Sequence, residues 1–421
     1  MQYTRRARLL QKARAAYTER MFGFKKPFFA KAMKGRPIYL DYASATPVHP
    51  KALQALNKTI HMFANPGGLH AEAVAAKRVL DDARERIAAH LGCKAREIIF
   101  TSGLTEANNI ALIGLARSLE LQKRSLKDTH WIVSSIEHSS VLECFSEIER
   151  MGGTISHVEP DAKGIVRAER VAELLKPTTV AVSVGWGNNE IGTVQPLSAI
   201  ALVLRAHEKK YNTSVILHSD AGQAPLYRSP QVHSLGVDLF SLGSGKLYGP
   251  RGIGALYVSN KVSLAPIIFG GGQERGLRSG TEDVALAAGF AAAFDVITIE
   301  REAEAKRLQK LRDDFASEIV AHIPSVVINS DLKHTLPHML NVSIPGERTG
   351  EYLALQLDHA GISLSTKSAC DEGNKASHVV AALGGPEWRA INTLRFSLGR
   401  NTSASELKKT INTLQLLIAK K

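Results

Sequence analysis

The sequence predicts an α/β fold, with a large, mainly parallel sheet domain followed by a smaller α+β domain. Three observations point there. From residue 37 onward, short apolar runs alternate with longer amphipathic segments, the pattern of a sheet covered by helices on both faces. Two consecutive runs, 214–218 and 237–242, each lead within a few residues to a charged side chain, Asp220 and Lys246, as expected where strand carboxyl ends form a ligand crevice. The length, 421 residues, exceeds one small core and suits two domains.

Taken in order, the first element is a basic extension. Residues 1–36 carry eleven Lys or Arg against the single acid Glu19, so +10 of the chain's +13 lies there and the body is nearly neutral. Leu9, Leu10, Ala13, Ala16, Tyr17 and Met21 recur at helical spacing among the basic residues, which suits an amphipathic helix on an anionic surface, on nucleic acid, or as an organelle address. The large domain is expected over 37–285, with strands at 97–101, 131–135, 180–184, 215–219 and 237–242. The alanine-rich stretch 284–294 is too short to span a bilayer and reads as a packed helix. The smaller domain is expected over 286–421, entered through a charged helix at 300–319, with strands at 339–344 and 392–398 and a closing helix at 405–419.

Three widely separated cysteines, Cys93, Cys144 and Cys370, match neither a disulfide framework nor a zinc-ligand spacing. They predict a reducing compartment, and the expected location is the cytoplasm, with organelle import through the basic N-terminus as the other address. No metal site is expected.

The chemistry begins at Lys246. It follows an apolar strand run and sits among Gly243, Gly245 and Gly249, where the backbone can turn sharply against a bulky cofactor. A lysine in such a place can lose its proton and form an imine. Asp220, at the end of the preceding strand, can hold a pyridinium nitrogen protonated, and the pair therefore suggests pyridoxal phosphate (PLP). The turn 102–108, Ser-Gly-Leu-Thr-Glu-Ala-Asn, opens a helix and aims amides and the Thr105 hydroxyl at an anion, the third handle this cofactor needs. His138, Asn189 and Gln223 fall at strand ends of the same sheet.

With these residues in place, a set of longer motifs becomes readable: Tyr39-Leu-Asp-Tyr-Ala-Ser-Ala-Thr-Pro47, Asn188-Asn-Glu-Ile-Gly192, Gly270-Gly-Gly-Gln-Glu274, Arg278-Ser-Gly-Thr281, Ser368-Ala-Cys370 and Arg395-Phe-Ser-Leu-Gly-Arg400. Together they resemble the cysteine desulfurases of the NifS/IscS type, from about residue 37 to the C-terminus and in that family's order. The resemblance implies a fold-type I PLP-dependent transferase and a homodimer. It implies that Lys246 carries the cofactor, that Asp220 pairs with the ring nitrogen and that His138 stacks on the ring and relays protons. Gln223 and Asn189 would contact the ring oxygen region. Thr105 and Ser244 would hold the phosphate, with Thr281 reaching it from the other subunit. Arg395, with Asn189 beside it, would bind the carboxylate of L-cysteine. Cys370, in a polar setting with Lys367 nearby to favour a thiolate, would take the sulfur as a persulfide and pass it to an acceptor such as an iron–sulfur scaffold or a tRNA-thiolation partner. Cys93 and Cys144 read as structural.

The chain departs from the family pattern at the lysine. Many relatives read serine, spacer, histidine, lysine, where this chain has Gly243, Ser244, Gly245 and Lys246. Two phosphate-binding side chains are thus replaced by glycine, and Ser244 is expected to compensate; Gly222 is likewise small. Rival readings are a selenocysteine lyase or an aminotransferase of the same fold and, outside enzymes, an RNA-associated sulfur-transfer scaffold.

Overall fold

The computed structural model describes residues 37–367 and 376–419. Its centre is a seven-stranded sheet in the order β2-β8-β7-β6-β5-β3-β4. These strands are β2 (Ile98–Thr101), β3 (His130–Ser134), β4 (Thr154–Val158), β5 (Thr179–Ser183), β6 (Ile216–Asp220), β7 (Leu239–Gly243) and β8 (Gly254–Val258). Pairing is parallel from β4 through β7, whereas β8 runs antiparallel to both β7 and β2. The expected large, mainly parallel sheet is therefore present, with the expected strands displaced by a residue or two.

Strand alternation divides the core between the two faces. In β3, Trp131 and Val133 pack with helices Leu104–Leu121 and Ser139–Arg150, while Ile132 joins the larger core on the opposite face. In β7, Leu239 faces the first cluster, and Phe240 and Leu242 the second. A period of two with both sides apolar is what a sheet covered on both faces requires.

The C-terminal unit is built on β9 (Val327–Ile328), β10 (Met339–Ser343) and β12 (Thr393–Ser397), antiparallel in the order β12-β10-β9. The first described strand, β1 (Ile38–Tyr39), belongs spatially with this unit, because it pairs in parallel with β11 (Ile362–Ser363). The segments expected as two helices, 284–294 and 300–319, form one helix, Val284–His322, of 39 residues. It packs on Pro50–Thr59 and Ala71–Leu91 in its first half and reaches Ala404–Ala419 and β10, so the expected boundary at 285/286 falls in its first turn. Among the described residues no helix is long and apolar enough to cross a membrane.

Candidate active site

Five loops leave the carboxyl edge of the sheet and meet the C-terminal unit around a cavity of about 200 Å³. Thr105, His138, Asn189, Asp220, Gln223, Lys246 and Arg395 all line it, so seven residues singled out from the sequence share one site. Each arrives for a local reason. β2 ends at Thr101 and the chain enters the helix Leu104–Leu121 through Gly103, an N-cap without a side-chain hydrogen bond, which leaves first-turn amides and Thr105 at the cavity. His138 is itself an N-cap: its Nδ1 accepts the Ser140 N–H at 3.1 Å and starts the helix Ser139–Arg150. Asn189 lies in a turn closed by Gly192 (φ 73°), where a Cβ would stand 2.5 Å from the Met339 Cβ.

Asp220 is the last residue of β6. Its Oδ1 accepts the Gly222 N–H at 2.9 Å and its Oδ2 accepts the Asn108 amide at 2.8 Å. Lys246 ends the 3₁₀ turn after β7, and its Nζ donates to the carbonyls of Ala43 and Ser44, both at 2.8 Å. The Gln223 Nε2 donates to the same Ala43 carbonyl at 2.9 Å. Arg395 comes from the middle of β12 and is 1% exposed. Its Nη2 donates to Asp41 Oδ1 (2.7 Å) and Ser44 Oγ (2.6 Å), and its Nη1 to the Asn189 carbonyl (3.0 Å).

Burial sets the electrostatics. It lowers the His138 pKa, opposed by the charge of Asp220, which favours the neutral imidazole. Glu137, fully enclosed and accepting the Gly185 N–H at 2.8 Å, is pushed up to about 8 by burial, with the Asp220 charge adding to the shift.

Two expected site residues fall elsewhere, and a third lies outside the described residues. The Ser244 hydroxyl is buried without a hydrogen-bond partner among the described residues and points at Gly249, where a Cβ would lie 2.1 Å from its Oγ; Ser244 does not line the cavity. Thr281 lines a second cavity with Arg278 and Glu274. Cys370 lies outside the described residues, as does the basic extension 1–36. Sequence reasoning missed Asp41, Ser44, Asn108 and Glu137 as members of the site. Asp41 and Ser44 were inside a recognised motif and Asn108 closed the turn 102–108, whereas Glu137 carried no signal beyond being a polar residue next to His138.

The donor set fits pyridoxal phosphate. A carboxylate at a strand end suits the ring nitrogen, an amine suits the aldehyde, and an uncapped helix N-terminus with Thr105 suits the phosphate. Gln223 Oε1 and Arg395 Nε are buried at the cavity without partners among the described residues, which leaves an acceptor and a donor for a ligand. Fold and site together define a PLP-dependent α/β enzyme.

The comparisons with known proteins agree. The model of the family "Aminotransferase class-V" matches residues 38–410. A protein of Dictyoglomus turgidum, "Cysteine desulfurase IscS", is 36% identical over 387 residues, 91% of this chain and 95% of that protein. The human "Cysteine desulfurase" is 35% identical, over 89% of this chain and 80% of its own. Among solved structures, a "NIFS-LIKE PROTEIN" superposes with a TM-score of 0.83 at 31% identity, covering 91% of this chain and 99% of that one. "SspA in complex with cysteine" gives 0.74 at 34% identity, covering 86% and 98%. The chain belongs to the class-V aminotransferase family and, within it, to the cysteine desulfurases.

Proposed function

We propose that this enzyme removes sulfur from L-cysteine, releasing L-alanine and leaving a persulfide on Cys370 for transfer to an acceptor such as an iron–sulfur scaffold. The observation that carries the reading is the convergence of Lys246, Asp220 and Arg395 on one cavity in a chain of this family.

Pyridoxal phosphate bound in the cavity supplies an electron sink for the substrate Cα. Asp220 keeps the ring nitrogen protonated, and Thr105 with the helix amides binds the phosphate. Arg395 binds the substrate carboxylate, and its hydrogen bonds to Asp41, Ser44 and Asn189 orient it in advance. Lys246 Nζ would take the Cα proton, and His138 would hold the cofactor ring and move a proton at Nε2. The Cys370 thiolate attacks the substrate sulfur: an S–S bond forms, the Cβ–S bond breaks, and Cβ is reduced to the methyl of alanine as the two sulfurs are oxidised.

The same reading places the chain in a homodimer. Phe63, Leu69 and Phe269 are 89%, 97% and 69% exposed, and Thr281 stands away from the cavity of its own chain, which suits a role in the partner's site. A cytoplasmic location accords with three dispersed cysteines.

The test is incubation with L-cysteine and a reductant, scoring alanine and sulfide together. Equal amounts are expected, with both lost in Cys370→Ala while the visible absorbance of the bound cofactor persists. Sulfide without alanine, or a Cys370→Ala variant with undiminished turnover, would overturn the proposal. Rates on L-selenocysteine separate the lyase reading from this one.

A further inference from the structure

Asn108 is buried completely within the first turns of the helix Leu104–Leu121, an unusual place for an amide unless its hydrogens are used. Both are. Nδ2 donates to Asp220 Oδ2 at 2.8 Å and to Ser140 Oγ at 2.9 Å, while Oδ1 has no partner among the described residues. The orientation of this amide follows from chemistry, because an ionised carboxylate only accepts and the nitrogen must therefore face Asp220.

The two hydrogen bonds reach two different parts of the site. At Asp220, Asn108 holds one carboxylate oxygen and the Gly222 N–H the other, so the plane of the group is fixed. At Ser140, the hydroxyl that accepts from Asn108 stands 2.9 Å from His138 Nδ1 and donates to it where that nitrogen carries no hydrogen. That nitrogen also faces the Ser140 N–H at 3.1 Å, so a neutral His138 carries its hydrogen on Nε2.

We propose that Asn108 is a positioning residue of this enzyme: it pins the Asp220 carboxylate for the ring nitrogen and, through Ser140, keeps His138 Nδ1 an acceptor. The inference rests on the cofactor reading above. The titratable or charged groups that line the cavity with Asp220 are Glu137, His138, Lys246 and Arg395.

The test uses the full chain and two variants of nearly unchanged volume. Asn108→Leu removes both donors, and Asn108→Asp puts a second carboxylate against Asp220, a pair that would share a proton. Each is stripped of cofactor, checked for folding by its thermal midpoint, and titrated with pyridoxal phosphate by fluorescence quenching. The dissociation constant is expected to rise about tenfold or more in Asn108→Leu, the scale of one hydrogen bond to a charged group. Asn108→Asp is expected to add a titration step near neutral pH to the absorbance of the loaded protein. Dissociation constants within twofold of wild type, together with superimposable pH titrations, would overturn the inference. A wild-type protein that fails to bind pyridoxal phosphate would instead overturn the functional reading beneath it.

Discussion

Arg395→Lys isolates the substrate-binding step. The guanidinium is buried and committed to three partners through two nitrogens, with Nε still available at the cavity. Lysine places one nitrogen on a shorter reach, so it cannot serve Asp41, Ser44 and the Asn189 carbonyl while also pairing a carboxylate through two parallel bonds. The loss of one charge-assisted hydrogen bond to the substrate corresponds to ~1.5–3 kcal/mol, or about 10- to 100-fold in kcat/KM. Because Arg395 is assigned to the substrate and not the cofactor, the loss belongs in kcat/KM for L-cysteine, with the affinity for pyridoxal phosphate within about twofold. The assay pairs initial rates of alanine formation across a range of L-cysteine with a cofactor titration of the same preparation. Unchanged kcat/KM would remove Arg395 from substrate binding. An equal loss of cofactor affinity would show that it supports the cavity as a whole, and the reasoning would be refuted in that form.

Three further outcomes are expected. A Cβ at Gly222 would stand 2.6 Å from Leu104 Cδ2, so Gly222→Thr should destabilise by ~1–3 kcal/mol through overpacking, and Leu104→Ala, which removes that methyl group, should recover much of it in urea titrations. His218 and His338, both fully buried, are depressed to about 3, while Glu137 is raised to about 8. Below pH 6.5 the unfolded chain therefore binds the two histidine protons that the native state refuses, and above the ordinary carboxylate range the native state keeps a Glu137 proton that the unfolded chain releases. From these groups, stability peaks near pH 6.5, falling by about 1.4 kcal/mol per pH unit on either side, and Glu137→Gln should flatten the alkaline limb of urea-unfolding free energies while roughly doubling the slope of the acid limb above the ordinary carboxylate range. Burial pushes Cys93 and Cys144 up to about 12, so brief alkylation at pH 8 should spare both and label Cys370, as read by peptide mass spectrometry.

The legible part of this site is the part carried by strand ends. Asp220 and Lys246 each terminate a buried run, and a parallel sheet delivers such residues to one edge whatever the rest of the chain does. What escaped was set by tertiary contact. β4, with the sequence Thr-Ile-Ser-His-Val, is an edge strand with Thr154 and His157 exposed, so its apolar signal is weak. β8 returns antiparallel from β7 after a short turn, without the helical crossover that marked the other strands. Asn108 reads as an ordinary helix residue until Asp220 and Ser140 are brought against it from other loops. Ser244 was expected at the phosphate because of its neighbours in sequence, but the 3₁₀ turn Ser244–Lys246 aims its hydroxyl at Gly249 while Lys246 lines the cavity.

The segment 41–46 contributes more than a recognisable motif. The Ala43 carbonyl accepts from both Lys246 and Gln223, the Ser44 carbonyl accepts from Lys246, and the Asp41 and Ser44 side chains hold Arg395. Thr46 is bonded to the Gly245 carbonyl through its hydroxyl at 3.0 Å, and the Ala43 N–H to Ser397 Oγ at 2.9 Å, so the segment is tied both to the lysine turn and to the strand that carries Arg395. In the proposed mechanism a substrate held by its carboxylate at Arg395 presents its Cα to Lys246, and these two residues belong to different units of the fold. Six residues spanning both units set the distance between them by hydrogen bonds on either side, which a sheet edge alone could not do. The conversion of a cavity at strand ends into a site for an amino acid therefore depends on a short N-terminal segment with almost no regular secondary structure of its own.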